Sequence, residues 1–504
     1  MPTTPQFESA LRIVETLCAA GYEAYLAGGC VRDLLLGRAP ADYDVATSAT
    51  PDVVLRMFPR TFAVGAHFGV VLVADGEGDG YVCTEVATFR SDGMYSDGRH
   101  PDEVRYTVNA EDDVQRRDFT INGLLLDPMR LFRQGLKPSH SAGMDVRAEA
   151  RTLQGETAAR DASRITGPSI PVAGATSAQD DKSLSGGNLR SAVIDHVGGL
   201  DDLDAGVIRA IGRAERRFEE DQLRLLRAVR FAARFDFRID PATHGAMRRM
   251  AARIHAVSRE RVRGELTKML TEGGARRAFE LLDETDLLVQ VLPEVSRMKG
   301  VEQPPQFHPE GDVWVHTLLL LDQLEAGCPL TLAWGALLHD VGKPPTFRVA
   351  ERIRFDGHVE VGVAIGAEIC RRFRFSNDET RQILALIQNH MRFADAARMK
   401  ASTLKRFFRL EDFAQHLALH KMDCRAASGN LDHWEFVRAR YEATPAEAVR
   451  PTPLLTGREL IAAGYKPGAQ FKEMLHAVED AQLEGMIATA EEALALVRER
   501  FGAG

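Results

Sequence analysis

A chain of 504 residues is long enough for several domains, and 45% hydrophobic with 27% charged residues is an ordinary globular balance. A net charge of −9 excludes a generally basic nucleic-acid coat, and no run approaches the ~20 apolar residues of a membrane span. The opening MPTTPQFESALRIVETL lacks a basic n-region and an apolar h-region, so no secretory signal is expected, and the scattered Cys18, Cys30, Cys83, Cys328, Cys370 and Cys424 read as reduced thiols of a cytoplasmic protein.

Leu11, Val14 and Leu17 recur at helical spacing and predict a helix over 7–20. The stretch Leu26 to Asp33, LAGGCVRD, then reads as a strand, a glycine turn and a short helix, with Asp42 and Asp44 on a second strand. Gly28 and Gly29 lack a Cβ, so their backbone amides can approach a phosphate, and the helix after them aims its N-terminus at the same anion. Asp42 and Asp44 are two apart, which on a strand points both carboxylates to one face. Hard oxygen ligands beside a phosphate cradle suit Mg²⁺, and Arg32 lies between these two features. The run resembles the nucleotidyltransferase motif of the polymerase-β superfamily. More narrowly, it resembles class II tRNA nucleotidyltransferases, the CCA-adding enzymes, and their bacterial poly(A) polymerase relatives.

Residues 63–73 predict strand, turn and strand, and YVCTEVATFR (81–90) another strand, on which Glu85 is a candidate third metal ligand. Residues 91–115, rich in Asp, Gly and Ser, predict a mobile loop. In Arg116-Arg-Asp-Phe-Thr-Ile-Asn122, two arginines suit a triphosphate, and Asp118 and Asn122 are spaced to share a helix face. The string matches the second motif of the resembled family, which implies that Arg117, Asp118 and Asn122 contact triphosphate and ribose. Residues 131–190 hold few large apolar side chains and predict a disordered insertion. The family normally runs from Leu126-Asp127-Pro128 almost directly to the equivalent of VIDHVGGLDDL (193–203), so this chain departs from the pattern there.

From Glu219 to Arg234 a single amphipathic helix is expected. Glu219, Glu220 and Asp221 lie at its N-terminus, Arg224, Arg227, Arg230 and Arg234 along one stripe, and Leu225, Leu226, Val229 and Ala233 opposite. Asp221 can accept from an amino group and Arg224 can donate to a ring nitrogen. Cytosine and adenine offer that pair of groups, whereas uracil and guanine do not. In the resembled family Glu-Asp-x-x-Arg reads the base, which assigns that role to Asp221 and Arg224, with Arg227 touching the nucleotide or primer end. RVRGELTKML (261–270) matches a helical neck motif.

A different unit follows. His316, the adjacent His339-Asp340 pair, His358, His390 and Asp423 are distributed along helical segments. The pattern resembles the HD superfamily of metal-dependent phosphohydrolases. This implies that His316, His339, Asp340 and Asp423 hold one divalent metal, with His358 and His390 completing a second site.

The expected fold is α+β: a polymerase-β-like nucleotidyltransferase head with a small mixed sheet, followed by helical neck, HD and tail regions. The expected bounds are 1–130 head, 131–190 insertion, 191–212 return to the head, 213–300 neck, 301–430 HD domain and 431–504 tail. The expected activity is template-independent addition of CMP and AMP to the tRNA 3′ end from CTP and ATP, with release of pyrophosphate. It would require Mg²⁺ in the head, with a divalent transition metal in the HD domain, and neither a membrane nor an obligatory protein partner. Alternatives are a poly(A) polymerase, a CC-only or A-only enzyme, an HD phosphohydrolase with a non-catalytic head, and a non-catalytic RNA-binding protein, which would not need the paired carboxylates.

Overall fold

The computed structural model describes residues 4–63, 69–76, 81–92, 104–133 and 186–502. They form two compact units that divide between Leu200 and Asp201.

The first unit is built on a seven-stranded sheet. Its strands are β1 (Ala24–Ala27), β2 (Asp44–Thr47), β3 (Thr61–Phe62), β4 (Val70–Asp75), β5 (Val82–Thr88), β6 (Leu125–Leu126) and β7 (Val193–Ile194), in the order β3-β4-β5-β2-β1-β6-β7. Only β2 and β5 run parallel, so the sheet is mixed. Helix α1 (Pro5–Ala19) starts where the Thr4 hydroxyl accepts from the Phe7 amide. It buries Phe7, Ala10, Ile13, Val14 and Leu17. Leu26, Val45, Val86 and Leu125 are buried with them, and this apolar layer drives the unit together. Helix α2 (Gly29–Leu35) follows β1 directly.

Three local expectations change here. The 91–115 stretch enters and leaves in regular structure: Arg90–Asp92 pairs antiparallel with Val104–Tyr106, and Ala110–Gln115 is a helix capped by Asn109. Its centre, 93–103, lies outside the described residues. Thr120–Asn122 is a 3-10 turn rather than an α-helix. The disorder expected of 131–190 falls almost wholly outside the described residues, whose edges there belong to the helices Pro128–Arg133 and Gly186–Ser191.

The second unit is mostly helical. Val207–Ile208 pairs in parallel with Arg238–Ile239 within it, so the segment expected to return to the head over 191–212 divides between the units. The expected single helix from Glu219 is two: α3 (Ala214–Glu220) and α4 (Leu223–Phe235), broken at Asp221, which is extended at φ −148, ψ 108. Glu219 and Glu220 therefore end the first helix instead of opening the second. An Asp at this point breaks the helix by bonding its own backbone: its Oδ1 accepts from the Leu223 amide at 3.0 Å. Leu225, Leu226 and Val229 on α4 are fully buried. Helix α5 (Arg259–Thr271) lies against α4.

Further along are α6 (Val313–Leu321), α7 (Leu330–Leu338), α8 (His358–Arg372), α9 (Asn377–Asn389) and α10 (Phe413–Ala426). α7 is apolar on all sides because it is central, with Trp334, Leu337 and Leu338 fully buried. Gly342 lets the turn after α7 meet the start of α8: a Cβ there would lie 2.0 Å from the His358 carbonyl oxygen. No helix of the described residues is long and apolar enough to cross a membrane.

Candidate functional sites

In the first unit, Gly28 joins β1 to α2 at φ +72, a conformation that L side chains rarely adopt. A Cβ on it would sit 3.1 Å from Arg117 Nη1. The register Ala27↔Asp44 brings Asp44 beside this turn, and Val45↔Val86 sets Glu85 level with Asp44 on the neighbouring strand. Strand β2 starts at Asp44, so Asp42 precedes it instead of sharing it. Tyr43 between them is buried and meets Phe7 edge-on at 5.4 Å. Asp42 and Glu85 are exposed and Asp44 is half-buried. Burial, then the Glu85 and Asp42 charges, push the Asp44 carboxyl up to about 6 against the pull of Arg117. The three carboxylates do not converge within 4.8 Å of one another. An acidic set that raises its own pKa fits a divalent cation bound through oxygen.

Arg117 is held by Asp113, which sequence reasoning passed over as part of a loop. Asp113 Oδ2 accepts from Arg117 Nη2 at 2.9 Å, and Oδ1 accepts from Arg116 Nε at 2.9 Å and Nη2 at 2.6 Å. Burial works against its charge, but the two arginines outweigh burial and lower the Asp113 carboxyl. The available signal was an acid three and four residues before the arginine pair. Arg32 is buried and bonds Asp33 Oδ1 through Nε at 2.8 Å and Asn122 Oδ1 through Nη1 at 2.5 Å. Asp118 Oδ1 accepts from Asn122 Nδ2 at 3.0 Å. Gly28, Arg32, Arg117, Asp118 and Asn122 thus form one connected set. Gly29 joins it, as its Cβ position lies 3.6 Å from Arg32 Nη2.

In the second unit, Asp221 Oδ2 accepts from Arg261 Nη2 at 2.8 Å. Arg224 Nη1 donates to Glu220 Oε2 at 2.8 Å and to the Arg217 carbonyl at 3.2 Å. Asp221 and Arg224 are therefore both held by neighbours. The arginine stripe is not uniform. Arg227 lies over the Phe231 ring at 5.3 Å. Arg230 is buried on Glu265 at 2.7 Å and also meets Glu272, as does Arg234 at 3.1 Å. The far half of the stripe joins α4 to α5 and the residue that follows it, a structural use.

The third constellation is the most enclosed. His316 Nε2 stands 3.0 Å from Asp423 Oδ1, and His339 Nε2 stands 3.2 Å from Asp340 Oδ2. His390 Nε2 lies 3.7 Å from Asp340 Oδ1 and 3.4 Å from His358 Nε2. Each of the sets His316–His339–Asp340 and Asp340–His358–His390 brings one ligand atom per residue within 4.8 Å of the others. The opposite ring nitrogens are engaged: Nδ1 of His339, His358 and His390 meets the carbonyls of Ala336, Phe355 and Ile387 at 2.8, 3.0 and 2.7 Å. A carbonyl can only accept, so each imidazole presents its Nε2 lone pair inward. Among the described residues, His316 Nε2, His339 Nε2 and Asp340 Oδ1 are buried without a hydrogen-bond partner. That pattern fits a divalent metal bound by nitrogen and carboxylate. Lys343 Nζ, which the sequence reading did not single out, lies 2.6 Å from Asp340 Oδ2 and 2.7 Å from Gln303 Oε1. Burial depresses His316, yet the Asp423 and Glu310 carboxylates push it up to about 9. His390 is pushed down to about 4, first by burial.

Residues 24–135 match the family model of the poly(A) polymerase head domain, 236–299 a probable RNA- and SrmB-binding site of polymerase A, and 313–427 the HD domain. The chain is 34% identical over 319 residues to a CCA-adding enzyme of Lactobacillus gasseri, a match covering 62% of this chain and 64% of that relative. It is 27% identical to a CCA-adding enzyme of Streptococcus thermophilus across 97% of this chain and 96% of the relative. The solved CCA-adding enzyme of Bacillus stearothermophilus in complex with CTP superposes with a TM-score of 0.65 at 25% identity, covering 99% of both chains. The head model thus spans the first constellation and the HD model the third, with the RNA-binding model between them, in the order head, RNA-binding region and HD domain.

Proposed function

We propose that this chain adds CMP and AMP to the 3′ end of tRNA from CTP and ATP without a template. The observation that carries this reading is the head cluster, in which Asp44 and Glu85 lie level beside a Gly28 turn that leaves room for Arg117. The RNA 3′ oxygen attacks the α-phosphorus, the bond to the bridging oxygen breaks, and pyrophosphate leaves. Mg²⁺ held by Asp42 and Asp44, with Glu85 as the third carboxylate, would activate the hydroxyl and offset charge on the leaving group. Gly28, Gly29, Arg32 and Arg117 cradle the triphosphate, and Asp118 and Asn122 orient the nucleotide.

Asp221 accepts from the amino group of cytosine or adenine, Arg224 donates to the adjacent ring nitrogen, and Arg227 contacts the nucleotide or primer end. Arg261 and Glu220, by holding these two side chains, set the pattern before the base arrives. A base that leaves such a group unpaired is rejected strongly. A divalent transition metal held by His316, His339, Asp340 and Asp423, and a second by Asp340, His358 and His390, complete the reading.

The test offers tRNA lacking its last three nucleotides with each labelled triphosphate in turn. Addition of two C and then A is expected, without U or G. Asp221→Ala should misincorporate UMP, because a charged hydrogen bond worth about 1.5–3 kcal/mol, roughly ten- to a hundredfold, no longer favours the amino group. A wild-type chain that adds neither C nor A sinks the assignment. An active Asp221→Ala variant that still excludes UTP removes Asp221 as the base reader.

A further inference from the structure

His316 differs from the other three histidines of the HD cluster in how its outer nitrogen is held. The others use a main-chain carbonyl three residues earlier. For His316 that carbonyl belongs to Val313, which accepts instead from the Thr317 hydroxyl at 2.8 Å. His316 Nδ1 meets a carboxylate, Glu310 Oε1, at 2.7 Å. The same oxygen lies 2.8 Å from His308 Nδ1. The Glu310 side chain is 5% exposed, and its Oε2 is buried without a hydrogen-bond partner among the described residues.

The loop bearing Glu310 is fixed on both sides. Gly311 follows at φ +99, its carbonyl accepts from the Gln303 amide at 2.8 Å, and Asp312 caps α6 by accepting from the Val315 amide at 2.7 Å.

We propose that Glu310, steadied by His308, is a positioning residue for the divalent metal of the HD cluster, orienting His316 and strengthening it as a ligand. The inference rests on the HD reading above. An imidazole that donates to a carboxylate is locked with its other nitrogen free and is a more basic ligand than one donating to a carbonyl. It follows that His316 is the histidine of the cluster whose ligand strength a side-chain substitution can change without moving the main chain.

The experiment uses the full chain, stripped with chelator and titrated calorimetrically with Mn²⁺ alone, with bound metal counted by mass spectrometry. Glu310→Gln keeps the shape and removes the charge. It should weaken Mn²⁺ binding about ten- to a hundredfold, with the melting temperature of the metal-free protein nearly unchanged. His308→Ala should give a smaller loss in the same direction, and Glu310→Asp should recover part of the affinity. Equal Mn²⁺ affinity in wild type and Glu310→Gln overturns the proposal. So does a lowered metal-free melting temperature with unchanged affinity, which would mark Glu310 as merely structural. Should Glu310→Gln fail to fold, unchanged affinity in both His308→Ala and Glu310→Asp overturns it equally. A wild-type chain that binds no Mn²⁺ fails the HD reading itself and takes this proposal with it, whereas wild-type binding with an unaffected variant fails the proposal alone.

Discussion

Asp42 and Glu85 of the head stand in water, whereas His316, His339, Asp340 and His390 of the HD cluster are between 0% and 3% exposed. The head set is incomplete by itself: its carboxylates repel one another and do not converge. Mg²⁺ keeps several waters and is commonly shared between one or two carboxylates and substrate phosphates, so an open set suits a metal that comes and goes with the nucleotide. The HD set is closed. Three of its imidazoles are oriented by carbonyls and His316 by the Glu310 carboxylate, and its central carboxylate already has Lys343 as a counter-charge. A closed nitrogen-rich set suits a resident metal whose binding stabilises the fold.

The largest expected effect separates chemistry from stability in the head. Asp44→Asn should lower nucleotide addition roughly a thousandfold, the scale on which removal of one key electrostatic group acts, and Asp42→Asn should do the same. The Asp44 carboxyl is raised in the folded state, so its charge costs stability above about pH 6, and Asn relieves that cost. The metal-free melting temperature of Asp44→Asn should hold or rise at pH 7.5. Retained addition with Mg²⁺ present, or a marked fall in melting temperature, breaks the contrast.

Asp340→Asn should do the reverse. It leaves Lys343 without its carboxylate partner in a buried site, and removing one partner of a buried pair costs about 3–5 kcal/mol. Urea unfolding of the metal-free protein measures this directly. A variant as stable as wild type would mean that the enclosed cluster is no more integral to its unit than the open one is to the head.

A smaller effect is expected at Gly28→Ala. The residue must adopt φ +72 and its new methyl would stand 3.1 Å from Arg117 Nη1. KM for CTP should rise about tenfold, with a backbone cost of roughly 1 kcal/mol. An unchanged KM would show that the turn does not cradle the triphosphate.

These contrasts also explain what the sequence could disclose. Gly28, Asp42 and Asp44 lie close in the chain because one strand–helix–strand unit carries them, and His339-Asp340 is contiguous, so both motifs were readable. Asp113, Glu310 and Lys343 act by touching another functional side chain, which no local pattern announces. The break at Asp221 was hidden because apolar periodicity continues on both sides of it. The pairing of Arg230 and Arg234 was not legible because their acidic partners, Glu265 and Glu272, come from a helix and its C-terminal end much later in the chain.

The smallest predicted effect extends the comparison to pH. His416 is on α10, the helix that carries Asp423. It is 1% exposed, and neither ring nitrogen has a hydrogen-bond partner among the described residues. Burial first, and then the Arg392 charge, push it down to about 4, against the pull of Asp412. In the unfolded chain the same ring titrates near 6.5. The stability it permits is therefore complete above pH 6.5 and is lost as pH falls towards 4, because only the unfolded state takes up the proton over that window. The slope is at most roughly 1.4 kcal/mol per pH unit. His416→Leu, which fills similar space without a titratable group, should flatten the fall in melting temperature of the helical unit between pH 6.5 and 4 while leaving stability at pH 8 little changed. If His416→Leu follows the wild-type profile, the acid sensitivity of the unit belongs to the other depressed histidines, His308, His358, His390 and His420, and the buried ring of His416 is silent.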